Sequence, residues 1–208
     1  MRPTRPNRYR KAARGVAAVE MGILLPILIF LTLPVIDFAR AIQANLILVN
    51  LTREGASLAS RSSTYTPQAI MNSLAATTPP LKMPGQGMIY ITKIMGYCET
   101  SGCAPRNIVL EQHHWLQGWK QAGGSAPASR VWGCGSGGGS WITDGSCSGI
   151  PTGKNAPTAN AMTGSLHDGD VVYVVETYYS FDMLFKGLTM SGMSMPTLGP
   201  NLYSVTAF

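Results

Sequence analysis

The hydrophobic positions divide the chain into a continuous apolar run, an amphipathic continuation of that run, and a longer stretch of short alternating segments. The apolar run has no charged residue over the sixteen positions from Met21 to Ile36. Counted from Val16 to Phe38 it has twenty-three residues, which would measure about 34 Å as a helix. Because a hydrocarbon core is about 30 Å thick, the pattern predicts a membrane-spanning helix over residues 16–38.

The helical pattern continues beyond this span. Two prolines, Pro26 and Pro34, lie inside the run, but membrane helices tolerate proline because neighbouring groups satisfy the freed carbonyls. Apolar residues then recur at helical spacing at Ile42, Leu46, Val49, Ala56 and Ala59. We therefore predict one helix over about residues 17–60, whose extension over residues 39–62 packs on a globular domain.

Residues 63–208 carry the signals of one α+β domain. A short helix is predicted over residues 68–75, between prolines. Alternation predicts a strand over Gly87–Tyr97, and the Val- and Tyr-rich residues 170–181 predict the strongest strand. Weaker signals predict one or two helical turns in residues 111–121 and a short strand in residues 130–133. A long helix followed by strands predicts an α+β fold with a small antiparallel sheet packed on the helix.

Charge is unevenly distributed along the chain. The net charge is +6, but six of the sixteen cations lie in residues 1–15 and no acid does. The remainder has ten cations and ten acids, so it offers no basic stripe for nucleic acid. Lys and Arg beside a membrane helix stay in the cytoplasm. The leader, residues 1–15, is therefore predicted to be cytoplasmic and the C-terminal domain periplasmic.

Glu20 is the one carboxylate at the head of the apolar run. An ionisable group at membrane depth is costly and usually functional. A basic leader that ends in Gly15 and is followed by Val16 and then Glu20 is the arrangement that type IV prepilin peptidases process. Gly15 and Val16 are thus the predicted scissile pair.

The N-terminal motifs resemble those of the TadE family, the pilin-like proteins of the tight adherence (Flp pilus) apparatus. They are RGVAAVEM at residues 14–21, the Leu25-Pro26 step, IDFAR at residues 36–40 and NLTREGA at residues 50–56. The close resemblance covers about residues 12–60. It implies a minor pilin or pseudopilin, an inner-membrane structural component in pilus assembly for surface attachment, and not an enzyme. The implied partners are other pilin-like subunits, the Tad secretion machinery and a prepilin peptidase.

Cleavage would also give Glu20 a role. The new α-amino group of Val16 would be positive near neutral pH and would lie at the same depth as the Glu20 carboxylate. Their pairing, within one subunit or between neighbours, predicts that Glu20 acts in subunit association.

Four cysteines, Cys98, Cys103, Cys134 and Cys147, follow the predicted span. In an oxidising periplasm an even number indicates disulfides. Three pairings are possible, and we favour Cys98 with Cys103 and Cys134 with Cys147, because each closes a short loop. A zinc site that uses cysteines with His113 or His114 is the alternative, although no C-x-x-C knuckle is present. We expect the two histidines to form a solvated surface pair.

No motif predicts catalysis, a cofactor or a metal site. None of the three histidines stands in a nucleophile or zinc motif. The glycine-rich loop after Gly133 matches G-x-G-x-x-G by chance, since no strand-to-helix turn surrounds it. It exposes Trp141 among glycines and is a candidate partner surface.

Two other classes of protein fit the same chain. One is a periplasmic binding or adhesive domain on an uncleaved anchor that begins at Met1. The other is a secreted enzyme released by signal peptidase after Ala41, which would begin at Ile42.

Overall fold

The structure is a computed structural model. It describes residues 9–61, 64–100, 102–119, 125–135, 138–162, 164, 166–184, 189–190, 193–194 and 201–208. Residues 1–8 of the predicted leader lie outside the described residues. The chain forms two compact units: Met1–Ala41 with Met183–Leu198, and Ile42–Asp182 with Gly199–Phe208.

The predicted long helix is confirmed. Helix α1 comprises the 53 residues Tyr9–Arg61 and continues through Pro26 and Pro34. It begins earlier than the apolar pattern does, so the hydrophobic run predicts its end better than its start. From residue 16 to residue 29 every residue is exposed, and Val16–Arg61 is long and apolar enough to cross a membrane.

The second unit contains the C-terminal part of α1 and two further helices, α2 (Pro67–Ala76) and α3 (Met83–Gln86). The short helix predicted at residues 68–75 corresponds to α2. Thr66 caps it, since its hydroxyl accepts a hydrogen bond from the Ala69 N–H at 3.2 Å, as Thr does at helix N-termini.

The strands confirm the predicted α+β class. They are β1 (Gly87–Tyr97), β2 (Arg106–His114), β3 (Ser140–Trp141), β4 (Cys147–Ser148), β5 (Val171–Ser180), β6 (Thr189–Met190), β7 (Met193–Ser194) and β8 (Asn201–Ala207). Four of them form an antiparallel sheet in the order β2-β1-β5-β8. The pairs β3–β4 and β6–β7 are separate two-stranded ribbons.

One face of the four-stranded sheet packs on α1. The Thr52 hydroxyl of the helix lies 3.0 Å from the Ser204 hydroxyl and 3.1 Å from that of Thr206. Gly55 permits this close approach, because a Cβ there would lie 2.8 Å from Leu74 Cδ1 and 3.2 Å from Val175 Cγ1. Gly55 therefore lies at a tight contact of α1 with α2 and the sheet.

The opposite face of the sheet is covered by the chain between β2 and β5. A core cluster there contains Ile94, Val109, Val131, Ala159 and Val174. Among the described residues of this segment, regular structure is limited to β3, β4 and the short 3-10 helix Gly153–Asn155, so side-chain hydrogen bonds hold much of this described part in place.

Two local predictions are wrong, and one strand was not predicted. Among the described residues 111–119 no helix forms, because residues 111–114 complete β2 and pair with β1, and residues 116–119 form turns only. Residues 120 and 121 lie outside the described residues. Residues 130–133 do not form the predicted strand. The strand β8 was not predicted, because its short sequence carries a weak alternation that only pairing with β5 stabilises.

Candidate functional site

The N-terminal part of α1 carries the residues that the sequence singles out. Gly15, Val16 and Glu20 all lie in α1. Val16 is 60% exposed, and Glu20 is exposed as well. Four residues apart, Val16 and Glu20 lie on the same side of the helix, about 6 Å apart along its axis.

Glu20 takes no part in the ion pairs found among the described residues. Their acidic partners are Asp37, Glu111 and Asp170. The structure thus presents a carboxylate on an exposed apolar helix surface. In lipid, an ionised carboxylate requires a charged or polar group to pair with, as charges within membranes usually have.

The four cysteines form the two disulfides that the sequence analysis favoured, each of which closes a short loop. Cys98 is bonded to Cys103, with Cα atoms 5.8 Å apart, and Cys134 is bonded to Cys147 at 5.9 Å. Because all four are oxidised, the zinc alternative lacks its sulfur ligands. Among the described residues, no group of three or more His, Cys, Asp or Glu side chains could hold a metal ion.

The expectation that His113 and His114 form a solvated pair is wrong. They are neighbours on β2, so their side chains lie on opposite faces of the sheet, and both are partly buried. Burial lowers the pKa of each imidazole. The Nδ1 atom of His114 is buried and has no hydrogen-bond partner among the described residues.

A cleft of about 390 Å³ opens beside His114. Three of the chain's four tryptophans line it, Trp115, Trp119 and Trp141, together with Tyr90. The rings of His114 and Trp141 meet edge to face, with centroids 4.3 Å apart. Trp141 is 37% exposed. The disulfide-closed loop therefore presents an aromatic surface, although its tryptophan rests partly on the sheet.

A buried polar network fixes the segment that forms one wall of this cleft. Glu176 is completely buried and accepts hydrogen bonds from the Ser129 hydroxyl, the Arg130 N–H and the hydroxyls of Tyr178 and Tyr203. Burial and, secondarily, the nearby Glu176 carboxylate raise the pKa values of both tyrosines.

A second buried amide completes the network. The Gln112 side-chain N–H donates to the Ser129 hydroxyl at 3.1 Å and to the Trp132 carbonyl at 2.6 Å. Its carbonyl accepts from the Cys134 N–H at 3.2 Å. The start of the Cys134–Cys147 loop is thus bonded directly to the sheet. Sequence reasoning missed Gln112 and Glu176, because nothing in their neighbourhood along the chain shows that they are buried.

The match with known families falls on the helix and not on this network. Residues 15–57 match the family model of TadE-like proteins. The predicted resemblance is therefore confirmed, and the TadE-like segment begins at Gly15 and includes Glu20. The match links this N-terminal segment to Tad pilus-associated proteins, and the helix Val16–Arg61 that contains most of it is long and apolar enough to cross a membrane. No curated protein and no solved structure matched the chain.

The TadE-like segment ends within the part of α1 that packs on the sheet. It therefore contains Gly55, whose missing side chain allows contact with Leu74 and Val175. The described residues after position 57, including the cysteine loops and the aromatic cleft, lie beyond the match.

Proposed function

We propose that this protein is a TadE-like minor pilin or pseudopilin. It acts as a structural component in the assembly of a tight adherence pilus that mediates surface attachment. The observation that carries the proposal is the TadE-like segment on a helix whose apolar surface is exposed from residue 16 to residue 29 and holds one carboxylate, Glu20.

The proposed topology follows from the charge pattern. Residues 1–15 form a cytoplasmic leader, residues 16–38 cross the inner membrane, residues 39–62 extend the helix, and residues 63–208 form the periplasmic domain. The six cations of the leader support the cytoplasmic assignment. The two disulfides are consistent with an oxidising compartment on the other side.

We expect a prepilin peptidase to remove the leader by cleaving the chain between Gly15 and Val16. Removal places a positive α-amino group at Val16, one helical turn before Glu20. Amine and carboxylate then compensate each other in lipid. If they belong to neighbouring pilin-like subunits, they also set the axial register of those subunits.

Substitution of Glu20 tests the proposal. In Glu20→Gln the side chain keeps its size but loses its charge, so membrane insertion and both disulfides should be retained. Co-purification with other pilin-like subunits should be lost, and pilus-dependent adhesion should fall. The matched control is Glu99→Gln, which removes an exposed carboxylate from a loop of the other unit. If Glu20→Gln behaves as this control does, Glu20 does not act in assembly.

The aromatic cleft favours one other function, a binding or adhesive domain on a plain anchor. Trp141 lies on the loop closed by the Cys134–Cys147 disulfide, and it is the most exposed of the tryptophans that line this cleft. Under this alternative, Trp141→Ala abolishes attachment while Glu20→Gln has no effect, and the mature protein begins at Met1. A secreted enzyme would begin at Ile42 instead.

A further inference from the structure

The aromatic cleft beside His114 has the size and the lining of a small-molecule site. Its volume of about 390 Å³ lies within the range of about 300–1,000 Å³ that is usual for ligand sites. Tyr90 lines it from β1, Trp119 from the turns that follow β2, and Trp141 from β3. Ligand sites in proteins typically combine such aromatic rings with a small number of polar groups.

The cleft lies on the face of the sheet that is turned away from α1. Tyr90 is paired with His114 on β2 and with Glu176 on β5, so the three side chains project from the same face. Val175, the neighbour of Glu176, projects from the other face and lies close to Gly55 of α1. The packing of this part of α1 on the sheet therefore does not cover the cleft.

Trp119 has a strained backbone conformation. Its φ is 55°, which is in the left-handed region that a bulky residue rarely adopts. In the part of the chain that the structure describes, it is the one residue other than glycine with a positive φ. Its N–H donates to the Gly87 carbonyl at 2.8 Å, and this bond helps to hold the conformation. Strained residues of this kind cluster at ligand sites, so the strain is a second and independent indication of binding.

Two indole N–H groups remain available to a ligand. The Trp115 N–H is satisfied, because it donates to Asn72 Oδ1 at 2.8 Å. The indole N–H groups of Trp119 and Trp141 have no hydrogen-bond partner among the described residues. An indole N–H is a donor only, so a ligand that satisfies these groups must bring oxygen acceptors to the edges of the rings.

The charges around the cleft favour a neutral ligand. Its described lining residues include no Asp, Glu, Lys or Arg. Burial and, secondarily, the neighbouring His113 lower the pKa of His114, so this ring is neutral at neutral pH. The carboxylate of Glu176 lies behind Ser129 and already accepts hydrogen bonds from four donors. It therefore does not require a cation from the cleft.

The rings of the cleft are held in place by the surrounding fold. The ribbon that carries Trp141 is bonded to β2, since the His114 N–H donates to the Gly145 carbonyl at 2.8 Å. The disulfide between Cys134 and Cys147 closes the same loop. A ligand that binds rings already fixed in this way does not have to order them, which lowers the entropic cost of binding.

We propose that the aromatic cleft binds a neutral saccharide, whose pyranose rings pack on the indoles of Trp119 and Trp141. A pyranose has a face of C–H groups, which packs on the electron-rich face of an aromatic ring. Its edge carries hydroxyl oxygens, which accept hydrogen bonds from indole N–H groups. The inference goes beyond the proposed function, because it concerns the domain that follows the TadE-like segment and does not depend on cleavage of the leader.

The spacing of the rings favours a saccharide over a proline-rich peptide, which also packs on aromatic side chains. The ring centroids of Tyr90 and Trp141 are 6.2 Å apart, and the ring planes are tilted by 36°. A proline ring inserted between two aromatic faces needs about 7–8 Å, twice the carbon–carbon contact distance. A pyranose that stacks on one face needs only an accessible ring, and Trp141 is 37% exposed.

A glycan array that carries neutral and anionic oligosaccharides tests the proposal. The full-length protein is reconstituted in phospholipid nanodiscs, because detergents with sugar headgroups would compete. We expect binding to neutral glycans. The best of them, added as a free oligosaccharide, should shift the tryptophan emission to shorter wavelength, since three of the four tryptophans line the cleft. Binding to no glycan, or to anionic glycans alone, would overturn the proposal.

Variants of the two exposed tryptophans locate the binding. Trp141→Ala should raise the dissociation constant by about tenfold, and Trp141→Phe, which keeps a smaller aromatic face, should raise it less. Trp119→Asn removes the other ring with a residue that tolerates this φ and should also weaken binding. The matched control is Ile142→Ala, next to Trp141 at a 44% exposed position outside the described lining. If the tryptophan variants melt and bind as this control does, the cleft is not the site.

Competition separates the saccharide from other occupants of the cleft. A polyproline peptide should not displace the bound glycan, and neither should choline, a cation that aromatic cages bind. Displacement by either would overturn the proposal, in favour of a peptide partner or a cationic ligand respectively. Glycan binding should be unchanged in Glu20→Gln. A failure of that variant to assemble therefore bears on the proposed function alone, and a failure to bind glycans bears on this inference alone.

Discussion

Replacing Glu176 by Gln should destabilise the domain far more than the loss of one charge on its surface would. The carboxylate is fully buried. Its Oε1 atom accepts from the Arg130 N–H at 2.9 Å, from the Tyr203 hydroxyl at 3.0 Å and from the Tyr178 hydroxyl at 3.4 Å. The Ser129 hydroxyl donates to its other oxygen. The side chain at this position must therefore accept hydrogen bonds at both of its terminal atoms.

Gln cannot satisfy it in either orientation. If the amide nitrogen faces Ser129, it meets a hydroxyl that already accepts from Gln112 at 3.1 Å and from the Trp132 N–H at 3.4 Å. If it faces the other way, it meets the Arg130 N–H, which cannot accept a hydrogen bond. Glu176→Gln therefore places a donor against a donor whichever way the amide is turned.

The cost follows from the hydrogen bonds that are lost. Bonds to a charged group contribute about 1.5–3 kcal/mol each, and a buried donor left unpaired costs about 1–3 kcal/mol. We expect the free energy of unfolding to fall by about 3 kcal/mol in Glu176→Gln. For a chain of this size that corresponds to a decrease of about 6–12 °C in Tm. Tyr203→Phe removes one of the bonds and should cost about half as much.

Thermal unfolding of the detergent-solubilised protein, followed by the near-UV circular dichroism of its tryptophans, measures the effect. The control is Glu111→Gln, because this carboxylate is 57% exposed and its nearest cation, Lys93, lies 3.4 Å away. An exposed pair contributes about 0–1 kcal/mol. If Glu176→Gln melts at the same temperature as Glu111→Gln, the carboxylate does not hold the segment in place.

The remaining predictions concern processing, redox state and pH. Intact mass of the membrane-extracted protein should give a chain that begins at Val16; a chain that begins at Met1 or Ile42 would contradict the cleavage. Thiol labelling of the unreduced protein should find no reactive cysteine and, after denaturation and reduction, four, whereas two or more in the native protein would contradict the pairing. Burial lowers the pKa values of His113 and His114. Below about pH 6.5 the unfolded chain therefore binds protons that the folded chain does not, so Tm should decrease as the pH is lowered. A double variant with Gln at both positions should flatten this dependence, and an unchanged slope would refute it. Burial, with a smaller contribution from Glu176, raises the pKa of Tyr90 to about 12, so alkaline unfolding above about pH 10 should become shallower in Tyr90→Phe.

The sequence by itself determined the long apolar helix and the candidate processing site. A run of apolar residues, a basic flank and Glu20 are local properties of the chain, and they do not depend on what packs against them. The two strongest strands and the class of fold were predictable for the same reason. Gly87–Tyr97 and Val171–Ser180 carry enough alternation or β-branched residues to be recognised alone.

Only the tertiary structure decided the rest, because the deciding contacts join residues that are distant along the chain. Residues 111–114 have no strong strand pattern and become part of β2 through pairing with β1. Glu176 is polar yet buried, since its donors come from the segment around Ser129 and from Tyr203 in β8. Asp37 likewise looks like an ordinary acid at a membrane exit, and it is buried and bonded to Leu184, 147 residues away. Periodicity along a chain reports which face of an element is apolar, but not which distant polar groups will meet there.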